Sequence, residues 1–211
     1  MYGRTLDGQD LTFEASGGLI HGTLVLQDRE TDSYWPIMAG RSVEGELDGT
    51  ELPELAVARK RTWAEWRAEH PDTLVLSVDG AEDAPPRYQD YFASGDGFRG
   101  IAATDDRLQT KTPIFAFRLE GRAVAAPYGA FEGGRMFETG GERIWLHRAT
   151  DAELFESTSA FRMRAAPARG CEFDASRARF PEGCAEPLPG FDTFWYSWSL
   201  NNPGTYLLGG P

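Results

Sequence analysis

The chain reads as a mainly β protein, an α+β chain with about two short helices, and three observations predict it. Short runs rich in β-branched and aromatic residues recur along it, separated by Gly, Asp, Asn and Pro turn signals. The composition is 41% apolar and 12% aromatic, which is enough to bury a core and argues against disorder. One segment is also carried twice. Trp63-Ala64-Glu65-Trp66, His70-Pro71-Asp72-Thr73 and Leu74-Val75-Leu76 recur as Trp195-Tyr196-Ser197-Trp198, Asn202-Pro203-Gly204-Thr205 and Tyr206-Leu207-Leu208, at one constant offset. Such self-similarity predicts two diverged repeat halves sharing one core. The halves span about 1–78 and 113–211, joined by an irregular loop over 79–112 in a single domain of 211 residues.

The elements follow in order. Leu11-Thr12-Phe13 and Thr23-Leu24-Val25-Leu26 predict two strands, and Asp28 to Ser33 is turn chemistry. Tyr34 to Met38 returns as a strand, Arg41 to Leu47 continues as a short one, and Asp48-Gly49 ends it. Ala56-Val57-Ala58 is a further candidate strand. Thr62 is placed to cap a helix from Trp63 to Glu69, with Glu65 as the capping-box acid, and His70-Pro71 stops it. Leu74 to Val78 reads as a buried strand. Glu120-Gly121 joins Ile114–Leu119 to Arg122–Ala125, and Gly140-Gly141 joins Met136-Phe137 to Ile144–His147; both are hairpin signals. Phe161 to Arg164 alternates as another strand. A helical turn from Phe194 to Leu200 and a strand at Tyr206–Leu208 close the chain.

A formal net charge of −12 excludes the usual nucleic-acid partners, which need clustered Lys and Arg, and equally disfavours anionic membrane surfaces. No apolar run approaches the length needed to span a bilayer, so no membrane insertion is expected. The chain opens Met1-Tyr2-Gly3-Arg4 and passes at once into polar, strand-like sequence without a signal peptide. That fits a cytosolic protein or a mature exported domain. Cys171 and Cys184 flank an Arg- and Pro-rich loop; they are either free thiols or, in an exported domain, a disulfide adding about 3 kcal/mol.

Candidate chemistry is sparse. Gly95-Asp96-Gly97-Phe98-Arg99-Gly100 spells a dinucleotide-binding fingerprint, yet no long helix follows it, which leaves a flexible loop as the reading. Asp79, Glu82, Asp83, Asp90 and Asp96 offer carboxylates for a calcium ion but match no EF-hand spacing. His21, His70 and His147 show no metal-ligand spacing, and no metal or cofactor is indicated. His70 also suits a helix end, where an imidazolium meets the negative end of the dipole. Asp28 and Glu30 are either a carboxylate pair or ordinary turn residues. Asp105-Asp106-Arg107 with Lys111 is the densest charged cluster ahead of a strand, an ion-paired turn or part of a site. The pairs Trp63/Trp66 and Trp195/Trp198 fill core or, if exposed, form a stacking platform for flat ligands.

Three blocks, in order, resemble a known family. Asp28-Arg29-Glu30-Thr31-x-Ser33-x-Trp35 is similar to its Asp-Arg-Glu-Thr-Gly-Ser-x-Trp turn. Thr62-Trp63-x-x-Trp66 with His70-Pro71-Asp72-Thr73-x-Val75-Leu76, and Asp105-Asp106-Arg107-Leu108-x-x-Lys111, are similar to two further blocks. The family is the bacterial and archaeal domain of unknown function 3179. Asp32 stands where its turn glycine usually is, Gln27 where a tyrosine usually is, and the chain begins after the Cys-Pro-Leu-x-Gly-type segment of other members. The resemblance implies no activity, and it implies a periplasmic or extracellular home.

These readings lead to an extracytoplasmic binding or interaction module without catalytic machinery, engaging a protein partner or a small ligand. The alternative is an enzyme, or a small-ligand or metal-binding protein, with a site between the halves that uses Asp105, Asp106, Arg107 and Lys111 with His21 or His70. The module expects Arg107 and Lys111 in ion pairs, whereas the enzyme expects them to converge with a carboxylate or imidazole in a closed pocket. An assembly subunit would expose a large apolar patch.

Overall fold

The computed structural model of the protein describes residues 2–55, 63–77, 79, 88–154, 156–165 and 170–210. In chain order the elements are β1 (Thr5–Leu6), β2 (Gln9–Asp10), β3 (Phe13–Ile20), β4 (Thr23–Asp28), β5 (Tyr34–Pro36), α1 (Trp63–Glu69) and α2 (Gln89–Ala93). They continue with β6 (Pro113–Leu119), β7 (Arg122–Pro127), β8 (Arg135–Thr139), β9 (Glu142–His147), β10 (Ser159–Met163), β11 (Ala185–Pro187), β12 (Phe191–Phe194), α3 (Trp195–Ser199) and β13 (Tyr206–Leu207). Single 3₁₀ turns lie at Phe98–Gly100 and Tyr128–Ala130. The protein is mainly β, as the strand signals require, with three short α-helices among the described residues.

Four hairpins share one turn chemistry. Asp7-Gly8, His21-Gly22, Glu120-Gly121 and Gly140-Gly141 all hold both central residues at positive φ, the geometry whose twist matches the flanking strands. These turns fix the registers of β1–β2, β3–β4, β6–β7 and β8–β9.

The sheets run β1-β2, β3-β4-β5, β12-β6-β7-β13 and β11-β10-β9-β8. The sheet of β6 and β7 is the middle layer. On one face Phe115, Phe117, Leu119, Val124 and Ala126 pack against Phe137, Ile144, Leu146 and Ala160 of the β8–β11 sheet. On the other, Ile114, Ala116 and Ala125 pack against Trp195 and Trp198 of α3. The period-two alternation of β6 and β7 therefore feeds two cores at once. The small side chains of Ala116 and Ala125 leave room for two indoles. A third cluster of Leu11, Trp35 and Leu52 closes the β3–β4–β5 sheet.

Four expectations need correction or lie outside the described residues. Residues 41–47 form no strand; the segment is held by isolated bridges, Tyr34 to Glu44 and Arg41 to Glu51, because Gly45 at positive φ turns the chain tightly over Ser33. Residues 74–77 are neither strand nor buried: Leu74 is 95% and Leu76 87% exposed, since no sheet edge pairs with them among the described residues. The candidate strand Ala56–Ala58, the cap Thr62 and the residue Val78 lie outside the described residues. Both Trp-x-x-Trp segments do begin a helix.

Candidate functional site

The charged candidates are distributed around α3. In the turn before β6, Arg107 grips the Asp105 carboxylate with Nε and Nη2 at 2.9 and 2.6 Å, and Nη2 also donates to the Thr205 carbonyl at 2.9 Å. Its guanidinium lies 5.6 Å from the centre of the Trp195 ring, whose Nε1 donates to the Asp105 carbonyl at 2.8 Å. Hydrogen bonds from Arg107 hold the Asp105 carboxyl below its usual range. Asp106, beside them, is exposed.

Lys111 takes other partners. Its Nζ donates to the carbonyls of Tyr91 and Ser94, 4.1 Å from the Tyr91 ring centre and 5.2 Å from that of Phe194. Desolvation lowers its pKa, and a carboxylate at Asp96 opposes that shift. His21 meets Asn201 at 3.4 Å, whereas His70 ends α1 and stacks on Trp66 with ring centroids 4.1 Å apart. The structure thus brings Asp105 and Arg107 together but gives Lys111, His21 and His70 separate surroundings.

Asp28 and Glu30 likewise have separate partners. Asp28 is fully buried and accepts from the Thr31 N–H at 2.6 Å, the Thr31 hydroxyl at 2.8 Å and Trp35 Nε1 at 2.8 Å. Burial pushes its pKa up, but these hydrogen bonds outweigh it and the carboxyl stays below its ordinary value. Glu30 accepts the Thr12 N–H at 2.7 Å, which holds its carboxyl low as well. The Asp-Arg-Glu-Thr turn is a fastener between β3 and β5.

The sequence reading missed the part played by α3 itself. The Tyr196 hydroxyl meets that of Tyr91 at 2.9 Å and accepts the Phe98 N–H at 3.2 Å, so the 88–112 segment docks on the helix. Ser197 and Asn201 bond Thr23 of β4 at 3.3 and 3.2 Å. Arg118, on β6, pairs with Glu54, donates to Ala39 O at 2.6 Å and Asn202 Oδ1 at 2.8 Å, and lies 5.1 Å from the Trp198 ring centre. The signal was present: an arginine inside the apolar run Ile114–Leu119 needs buried partners.

Two of the cavities that adjoin these layers hold charged or titratable side chains of interest. One, of about 470 Å³, is lined by Arg118, Arg162, Glu51, Glu54 and Glu186, with Arg118 already committed to its own partners. The other, of about 420 Å³, lies between the end of α1, the His147 end of β9, the start of β10 and residues 175–178. His147 and Ser159 face each other across β9 and β10 there. Burial lowers the His147 pKa and favours the neutral imidazole. Arg148 beside them is spent: it donates to the Glu153 carbonyl at 2.6 Å and the Glu156 carbonyl, and stands 3.8 Å from the half-buried Asp192. Over this region lies a cap closed by a Cys171–Cys184 disulfide, with Phe173 and Phe180 packed on Trp145 and Phe161. Among the described residues no three His, Cys, Asp or Glu side chains gather as a metal-ligating group.

The remaining feature is apolar. Trp63 and Trp66 are 50% and 41% exposed on α1, and Leu74, Val75 and Leu76 stand out beside them in the chain. Their counterparts Trp195 and Trp198 are completely buried.

Fold and sites together define a mainly β, disulfide-stapled protein in which, among the described residues, no helix is long and apolar enough to cross a membrane. A family model described as a protein of unknown function (DUF3179) matches residues 1–205, and the chain belongs to that family. No curated protein and no solved structure matches it.

Proposed function

We propose that this protein is an extracytoplasmic interaction module that docks a protein partner on α1 and residues 74–76. The observation that carries the reading is the contrast between two segments that share a Trp-x-x-Trp start and a Pro-x-Thr turn, one sealed in the core and one presenting two tryptophans and three aliphatic residues to solvent. The sealed segment indicates the kind of partner. After its helix, Tyr206–Leu207 adds in parallel to the edge of β7 while the indoles fill the cleft beside it. The exposed segment carries the same pattern, so its occupant is a protein with an open strand edge bordered by an apolar cleft. A net charge of −12 favours a partner with a basic rim. The disulfide supports an oxidising compartment.

A photo-crosslinking amino acid placed at Trp66, in the native host, tests this against the same probe at Glu120 on the β6–β7 turn. The expected result is one discrete protein adduct at 66 and none at 120. The purified partner then loses at least about tenfold in affinity for the Leu76→Asp variant. Equal labelling at both positions, or affinity unchanged by Leu76→Asp, overturns the reading.

A further inference from the structure

We propose that residues 171–184 form a redox-latched cap: reduction of Cys171–Cys184 lifts it and opens the cavity beside His147 and Ser159, while the sheets stay folded. The cap is a turn built on itself. Asp174 N–H donates to Arg179 O at 2.9 Å, Ser176 N–H and hydroxyl donate to the Asp174 carboxylate at 3.0 and 2.6 Å, and Cys184 N–H donates to Pro181 O at 3.3 Å. Its Cys184 end is tied to the sheet by the Arg164 N–H, which donates to Cys184 O at 3.1 Å, and rings hold the rest of it. Phe173 lies 4.7 Å from His147 and 5.7 Å from Trp145, and Phe180 lies 5.4 Å from Phe161, centroid to centroid. Residues 175–178 of the same turn are one wall of the 420 Å³ cavity, and His147 and Ser159 stand on the other. Movement of the cap therefore uncovers an imidazole that burial favours in its neutral, reactive form.

The two sulfurs are unequally reachable. Cys184 is completely buried, whereas Cys171 is partly exposed. A dithiol reductant attacks Sγ of Cys171 and the Cys184 thiolate leaves and takes a proton. The second thiol of the reductant then attacks the mixed disulfide and releases Cys171. Two electrons pass to the protein, two cysteine thiols form and the dithiol becomes a disulfide. Removing the covalent closure of a loop of this size weakens the closed state by roughly a hundredfold.

Labelling with diethyl pyrocarbonate tests the proposal, read by mass spectrometry on the full chain with and without dithiothreitol. His21, on the β3–β4 turn, serves as the control away from the cavity. The expected result is at least a tenfold rise in His147 labelling on reduction, with His21 unchanged and amide-exchange protection of β6 and β9 retained. Unchanged His147 labelling overturns it, as does loss of protection throughout the core, which would make the disulfide a staple of the whole fold. The double variant Cys171→Ser with Cys184→Ser reproduces the reduced state without reductant; if it does not fold, the reduced wild-type chain decides.

Discussion

Two segments that share a Trp-x-x-Trp start and a Pro-x-Thr turn meet opposite fates in this molecule. Trp63 and Trp195 each open a short helix, with a second tryptophan one turn on. Around Trp195 and Trp198 the chain supplies a complete enclosure: Ala116 and Ala125 below, Arg107 and Arg118 over the rings, and Asn202 tying the helix end to Met38 O and Trp198 O at 3.0 and 3.1 Å. Around Trp63 and Trp66 it supplies solvent, a His70 ring and one hydrogen bond from Trp66 Nε1 to the Thr73 hydroxyl at 2.9 Å. The reason lies in the residues that follow the tryptophans. Arg67 and Glu69 keep one face of α1 in water, whereas residues 194–202 carry no charge and can be buried all round. A shared motif sets a local conformation, and the residues interleaved with it decide whether that conformation becomes core or surface.

The sharpest way to break this comparison is Trp198→Ala. Emptying a fully buried indole site, and removing the ring beneath Arg118, is expected to cost about 3–5 kcal/mol in equilibrium urea unfolding. A cost below about 1 kcal/mol would mean that the α3 enclosure is not the core it is drawn as.

A second test asks whether the exposure of α1 reflects a loose first third. Asp28 argues that it does not, because its buried carboxylate ties β4 to Thr31 and Trp35. Asp28→Asn is expected to cost about 2 kcal/mol near neutral pH. The folded carboxyl has the lower pKa, so its stabilisation is full above the unfolded value of about 4 and is lost as pH falls through the folded one. The gap between wild type and Asp28→Asn in unfolding free energy should therefore close as pH drops below about 4. A gap that stays constant to low pH would remove Asp28 as a charged anchor.

The smallest effect is expected on the exposed copy. Trp63→Ala combined with Trp66→Ala should change unfolding free energy by only about 1 kcal/mol, because both rings are already about half exposed. The same double variant should abolish crosslinking of a partner at residue 74. A cost approaching that of Trp198→Ala would show that α1 is part of the core in solution, and the comparison would collapse.

Much of this protein was legible in its sequence because the signals are local. Hairpin turns at Glu120-Gly121 and Gly140-Gly141 need only two residues that reach positive φ, and the strands beside them need only alternation. The helices at Trp63 and Trp195, and the stop at His70-Pro71, are local in the same sense. The cysteine pair was legible as a choice, and the fold resolved it by bringing the two Cα atoms to 5.5 Å. Leu74–Leu76 misled because an apolar run of three has the composition of a strand, while a strand also needs an edge to pair with, and that is a property of the rest of the chain. The roles of Asp105, Arg107 and Lys111 were hidden for the same reason. Their partners, Trp195, Thr205, Tyr91 and Phe194, are supplied by α3 and the segments packed on it. Turn chemistry and alternation fixed the strands; which face was sealed, which cation was spent and which tryptophans stayed outside was decided only when distant segments closed on α3.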